Sequence, residues 1–248
     1  TGDPLSPVPD TSSFLSARRD ENRIAGLDVI ESAFAKGRTR RVEATGHRDT
    51  VGRARKMMTS EQLSAFDVSK EPLTVRTEYG DSVFGRACLA ARRLTEVGVR
   101  CVEITLSGWD THANNHALVK GLNADLDPAL AGLVRDLRKR DNLAKTMILV
   151  AGEFGRTPRI NPVGGRDHWP NGFSVALAGG GVRGGVVVGE TDPSGTTNVK
   201  NPVPVANLYA TILTAMGIDY DKIHNTRIGR TVQYSNGVPV EGLLAEGN

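Results

Sequence analysis

The chain has 248 residues, 39% apolar and 24% charged, which is enough for a sizeable core and ordinary for a globular protein. Its 31 Lys and Arg against 28 Asp and Glu leave a net charge of only +3, which argues against a nucleic-acid partner. No apolar run approaches the roughly 20 residues a membrane-spanning helix needs.

The opening stretch, TGDPLSPVPDTSSF, reads as a loop without a signal peptide, the start expected of a fragment or processed form. Residues 16–36 then read as a helix. Ser16 is its N-cap, Ile24, Leu27, Val29, Ile30 and Phe34 form an apolar stripe, and Gly37 stops it. The next stretch, 38–55, is polar and basic. Arg38, Arg40, Arg41, Arg53, Arg55 and Lys56 read as a solvated face rather than a polyanion patch. Thr59-Ser60-Glu61-Gln62 looks like a helix start, with Leu63, Phe66 and Val68 as apolar contacts. Pro72 opens a short helix to Tyr79, ended by Gly80.

From Phe84 the pattern tightens. Phe84, Ala87, Cys88, Ala91 and Leu94 repeat at helical spacing up to Gly98. Residues 99–106 read as a strand, followed by a polar turn from Ser107 to His116. A long helix follows, with Leu118, Leu122, Leu126, Leu130, Leu133 and Leu137 on one face and Arg138, Lys139 and Arg140 complementing its dipole. Residues 146–151 are a continuous apolar run, the mark of a strand buried in a parallel sheet. Strand, helix and strand make a βαβ unit with a right-handed crossover. The expected fold is therefore α/β, a mostly parallel central sheet flanked by helices. Two short strands, 173–178 and 185–189, are expected to form a hairpin across Gly179-Gly180-Gly181. These glycines precede a strand rather than open a helix, so they are not read as a phosphate loop. Residues 191–204 read as a loop, 205–216 as a helix stopped by Gly217, and the tail as irregular. The two cysteines, Cys88 and Cys101, could pair or stay free and do not fix the compartment.

Chemistry concentrates in 152–170, GEFGRTPRINPVGGRDHWP. Glu153, Arg156, Arg166, Asp167 and His168 leave the carboxyl end of the 146–151 run, where open α/β sheets bind ligands. Asp110 and His112 leave the end of the preceding strand. Each residue alone has a plain structural role: Asp110 as a cap, His112 as a hydrogen-bonder, Glu153 as an Arg156 or Arg159 partner, Asp167-His168 as a turn pair. His116 reads as exposed or supporting, and His47 and His224 as surface residues. Together, Asp110, His112, Glu153, Asp167 and His168 form a mixed carboxylate and imidazole set. Such a set suits Zn²⁺, Mn²⁺ or Fe before Ca²⁺ or Mg²⁺, which would want more oxygen. Trp109 and Trp169 flank the ligand candidates and would shield them from water. Arg156 and Arg166 are candidate catalytic groups, offering forks for an oxyanion.

GWDTH, GEFGRTPRIN, GGRDHWP and the AGGG, GG and GETD run resemble the domain-of-unknown-function 1501 family, from about residue 66 to the C-terminus. That family is placed in the alkaline-phosphatase/sulfatase-like superfamily. The resemblance implies one alkaline-phosphatase-like domain over 1–248. Its first 80 residues would be an irregular and helical segment, and 81–248 an α/β core lacking the superfamily's N-terminal part. It implies Asp110 and His112 as one ligand group, Glu153 as an acidic ligand after a strand, and His168, beside Asp167, as a later ligand. Two departures stand out. Glu153-Phe154 replaces the superfamily's Asp-His pair. The early strand carrying the superfamily's nucleophile and first metal-binding Asp is not visible before Phe84. Thr111 and Thr157 are the hydroxyls nearest in sequence, with roles as turn and cap residues. The expected activity is metal-dependent hydrolysis of a phosphate or sulfate ester, with an oxyanion ester of a small molecule or glycan as partner. The alternative is a non-catalytic metal-, polyanion- or glycan-binding protein on the same fold. Export signals in the family imply a periplasmic or secreted location. Substrate, metal identity and oligomeric state stay open.

Overall fold

The computed structural model describes residues 14–38, 46–58, 60–226 and 228–245. The expected loop at 1–13, together with Arg40, Arg41 and Thr59, lies outside them. The chain divides into two compact units, Thr1–Thr77 with Asp81–Thr105, and Glu78–Gly80 with Leu106–Asn248.

The first unit is helical. Helix α1 runs over Ala17–Ala35, with Ser16 at the N-cap position but no cap bond from its side chain. Its expected apolar stripe stays exposed at Val29, Ile30 and Phe34. Helix α2 spans His47–Met58, and its Arg55 pairs with Asp20 of α1 at 2.7 Å. Two 3₁₀ turns follow, Glu61–Phe66 and Val68–Lys70, and then α3, Leu73–Glu78. The Ser60 hydroxyl accepts from Gln62 N, which fixes the first of these turns. Helix α4, Val83–Glu96, supplies the core. The Ser82 hydroxyl accepts from Gly85 N at 3.0 Å and caps it. The helix buries Cys88, Leu89, Ala90, Ala91 and Leu94, while Ala65 and Val68 are buried on the 3₁₀ turns.

Cys88 and Cys101 are both free. Burial pushes the Cys88 thiol up to about 12, whereas Cys101 is exposed. A thiol-reactive reagent on the native protein is expected to modify Cys101 quickly. Cys88 should react slower by roughly two orders of magnitude or more, because it waits for the helix to open. Equal rates at the two sites would contradict the burial of α4.

The second unit is built on α5, Asn115–Lys139. Its buried face is Ala129, Gly132, Leu133, Asp136 and Leu137, towards its C-terminal end, and Leu118 remains exposed. Glycine is required at 132, where a Cβ would stand 2.6 Å from the Glu78 carbonyl oxygen. Tyr79 is buried there, its hydroxyl donating to Asp136 Oδ2 at 2.9 Å while Arg140 Nε donates to Asp136 Oδ1 at 2.8 Å. The polar end of the tyrosine is thus satisfied inside an apolar contact.

Among the described residues the expected parallel sheet is not present: the structure is 46% helical, and the described strands form only short antiparallel pairs, so helices have no central sheet to flank. Strand β1, Met147–Val150, exists, but it pairs antiparallel with β4, Ala176–Gly179, in the register Met147↔Gly179 to Val150↔Ala176. Residues 99–106 form no regular strand, which removes the βαβ unit. Their half-buried positions, Val102, Ile104 and Leu106, alternate with exposed Glu103 and Thr105. That alternation belongs to a segment with one wet face, not to a strand buried on both. Leu149 in β1 is 46% exposed, so an apolar run did not imply two covered faces. The Gly179–Gly181 hairpin is also absent, because β4 turns back to β1 and 185–189 is irregular. Strands β5, Glu190–Thr191, and β6, Asn198–Lys200, pair within the expected loop. Helix α6, Val205–Ala215, forms as expected. The tail contains an unexpected hairpin, β7 (Ile223–Asn225) with β8 (Thr231–Gln233). His224 lies exposed on β7, and His47 is exposed at the start of α2.

Candidate metal centre

Two more strands position the site. Strand β2, Gly155–Arg156, pairs antiparallel with β3, His168–Trp169, setting Arg156 opposite His168. The connection between them folds over the turn that precedes α5. Asn114 N donates to Val163 O, Asn115 N to Gly164 O at 2.9 Å, and Arg166 N to Thr111 O at 3.1 Å. Thr111 is buried and accepts from Asn115 Nδ2 at 2.6 Å. These bonds occupy the amides of the cap residue Asn114 and of Asn115, the first residue of α5. They also bring Asp110 and His112 beside His168, although 58 and 56 positions separate them in sequence.

Three ligand atoms converge. Asp110 Oδ1 lies 2.9 Å from His168 Nε2 and 3.0 Å from His112 Nε2, and the two Nε2 atoms are 3.1 Å apart. Asp110, His112 and His168 form a cluster that could hold a metal ion. The side chains are 63%, 47% and 49% exposed, so the cluster opens to solvent. Trp109 and Trp169 are half-buried beside it and do not close it off. A proton on one Nε2 bridges only one of these contacts, whereas a cation would be met by all three atoms once both Nε2 atoms are unprotonated.

The other expected residues surround this triple. Asp167 Oδ1 meets His112 Nδ1 at 2.8 Å, on the far side of that ring from the triple. Arg156 Nη1 donates to Asp110 Oδ1 at 2.6 Å, and its Nη2 lies 3.6 Å from Glu153 Oε1. Glu153 is therefore linked to the cluster through Arg156 and stands outside the triple. Arg166 turns away, its Nη1 donating to the carbonyls of Thr157 and Pro158 at 2.5 and 2.7 Å. His116 is exposed on the first turn of α5. Hydrogen bonds from His168 and then Arg156 hold the Asp110 carboxyl down to about 2. His112, followed by Asn161, holds Asp167 below the usual carboxylate range. Both carboxyls are thus in the ligand-competent, ionised form at neutral pH.

Two further residues shape the site and were not singled out from the sequence. The Phe154 ring packs on His168 with centroids 4.4 Å apart, and the Arg156 guanidinium sits 5.6 Å from the Phe154 centroid. Asn161 donates from Nδ2 to His112 O at 2.9 Å and to Asp167 Oδ1 at 3.2 Å. Its Oδ1 accepts from Val163 N and Gly165 N. Only the Asn-Pro dipeptide at 161–162 hinted at this, and it signals no more than a turn.

The model of a protein-of-unknown-function family (DUF1501) matches residues 2–244. The chain belongs to the DUF1501 family. No match was found among curated proteins or among solved structures. The DUF1501 assignment names no substrate, so the chemistry of this DUF1501 chain has to be read from the cluster itself.

Proposed function

We propose that this DUF1501 protein is a metal-dependent hydrolase of phosphate or sulfate esters, with Asp110, His112 and His168 as the metal ligands. The observation that carries the reading is the convergence of one carboxylate oxygen and two Nε2 atoms within 3.1 Å of one another. A mixed carboxylate and imidazole set of this kind suits Zn²⁺ or Mn²⁺ before Ca²⁺ or Mg²⁺. A bound divalent ion supplies Lewis-acid polarisation of an ester oxygen and lowers the pKa of water. Arg156 stands beside the same carboxylate oxygen and offers its fork to the non-bridging oxygens of the ester. Arg166, held by two backbone carbonyls, shapes the loop. The ligand set, rather than a shared sheet, is what the reading takes from the alkaline-phosphatase/sulfatase-like superfamily. The periplasmic or secreted location goes with it.

One observation favours the second reading, a non-catalytic metal- or polyanion-binding protein. The two hydroxyls nearest in sequence are already engaged. Thr111 is buried against Asn115, and Thr157 Oγ1 donates to Arg159 O while accepting from Asp167 N. Hydrolysis would then depend on water as the nucleophile.

The test is elemental analysis joined to turnover of aryl phosphate and aryl sulfate with Mn²⁺, Zn²⁺, Mg²⁺ or Ca²⁺. We expect one divalent ion per chain, lost in His112→Ala and in His168→Ala together with metal-dependent turnover. Metal binding with no turnover of either ester moves the binding reading ahead. Unchanged metal stoichiometry in both variants defeats the ligand assignment.

A further inference from the structure

We propose that Asp167 is a positioning residue for His112 rather than a metal ligand, and that Asn161 holds the pair in place. The proposal rests on the Asp110, His112 and His168 triple as the metal site.

The geometry is a relay read from the outside inward. Asp167 Oδ1 lies 2.8 Å from His112 Nδ1. His112 Nε2, on the opposite edge of the same ring, faces Asp110 Oδ1 at 3.0 Å and His168 Nε2 at 3.1 Å. A carboxylate only accepts, so the contact at Nδ1 is a hydrogen bond only when Nδ1 carries the proton. A neutral ring with its proton on Nδ1 has its lone pair on Nε2, directed at the triple. Asp167 thus selects the tautomer that can bind a metal and fixes the ring's rotation.

Asp167 is held for this role from three sides. Its backbone N donates to Thr157 Oγ1 at 3.0 Å, and its carbonyl accepts from Thr157 N at 2.9 Å. Its Oδ1 also accepts from Asn161 Nδ2. The same Nδ2 donates to the His112 carbonyl at 2.9 Å. One amide therefore ties the backbone of the histidine to the carboxylate that orients its ring. Asn161 is itself fixed through Oδ1 by Val163 N and Gly165 N. An outward-facing carboxylate free of such constraints would be a candidate ligand. This one spends Oδ1 on an imidazole and an amide.

Three measurements test this. The first is the tautomer of His112 in the metal-free parent chain, from two-bond ¹H–¹⁵N correlations. The second repeats it in Asp167→Ala and Asp167→Asn, and the third is calorimetric titration of all three chains with Mn²⁺ and with Zn²⁺ alone. The parent is expected to carry the proton on Nδ1. Asp167→Ala should lose that preference and bind metal roughly 10–100-fold more weakly at unchanged stoichiometry. Asp167→Asn keeps an acceptor at Oδ1, and should recover the tautomer and part of the affinity. A parent ring protonated on Nε2 overturns the proposal without any variant. So does an Asp167→Ala chain that keeps either the parent's tautomer or its affinity. If Asp167→Asn has the parent's tautomer yet binds as weakly as Asp167→Ala, Asp167 is a ligand and the proposal fails. If the parent binds neither ion, the metal reading fails, while the tautomer measurements still decide the Asp167–His112 pair.

Discussion

Gly165→Ala is expected to cost about 3 kcal/mol of stability, the upper end of overpacking penalties. It should also weaken divalent-metal binding by roughly tenfold or more. An added Cβ would lie 1.9 Å from the His112 carbonyl oxygen, 2.0 Å from its carbonyl carbon and 2.5 Å from Ala113 N. All three are backbone atoms of the segment that presents His112. No rotamer change relieves the clash, so the strand crossing must open. That crossing carries the Ala113–Gly164 bridge and the Asn161 bonds to His112 and Gly165. Displacing it moves one imidazole away from Asp110 and His168. Gly152→Ala is the matched control, because a Cβ there meets nothing within 4 Å. The checks are chemical denaturation and metal titration on both variants. If Gly165→Ala matches Gly152→Ala in both, the close approach at His112 is wrong.

Glu71→Ala is expected to destabilise the first unit by about 3 kcal/mol, the low end for breaking a buried ion pair. Glu71 Oε1 receives Arg92 Nη2 at 3.0 Å and Arg93 Nη1 at 2.5 Å. The Arg92 side chain is 1% exposed and that of Glu71 10%. Removing the carboxylate leaves a buried guanidinium short of compensation. The cost stays at the low end because Arg92 keeps Glu96 at 2.8 Å and Arg93 keeps the carbonyls of Ala65 and Ser64. Burial raises the Glu71 carboxyl, but the bonds from Arg93 and Arg92 outweigh it and leave it below its ordinary 4.5. The folded state thus binds that proton less readily than the unfolded chain. This contribution is complete above pH 4.5 and is lost as the pH falls through the lower folded value. The gap between the denaturation midpoints of parent and Glu71→Ala should therefore narrow in acid. A constant gap from pH 7 down to pH 3, or none at pH 7, would rule out the ion cluster as the source.

The helices were legible because their signal is local. Cys88, Ala91 and Leu94 fall at helical spacing and are buried, so α4 follows from that spacing. The sheet was not legible, since strand direction is not written in residue type. Met147–Val150 suits either a parallel or an antiparallel partner. Gly179 discriminates through contacts far away in sequence. It sits at φ +94°, where a Cβ would stand 2.0 Å from the Thr146 carbonyl oxygen. The candidate site divides the same way. Asp110, His112 and His168 stood out as ionisable groups in Gly- and Pro-punctuated turns, and the structure gathers them. The orientations of Arg166 and Asn161 were hidden, because an arginine that reaches outward and one that grips its own loop share one letter. The assignment of Asp167 needed the ring of His112 in three dimensions.

The separation of Asp110 and His168 by 58 positions has a consequence for the unfolded chain. All of α5 and β1 lies between them. An ion spanning both ends would act as a cross-link, shrinking the set of conformations the denatured segment can explore. Such loop-closure effects grow only with the logarithm of the enclosed length, so most of the gain comes from closing the ring at all. The ion's effect would then fall on persistence as well as chemistry. Loaded and empty chains could share one shape and still differ in how often α5 detaches, and so in how long each survives proteases.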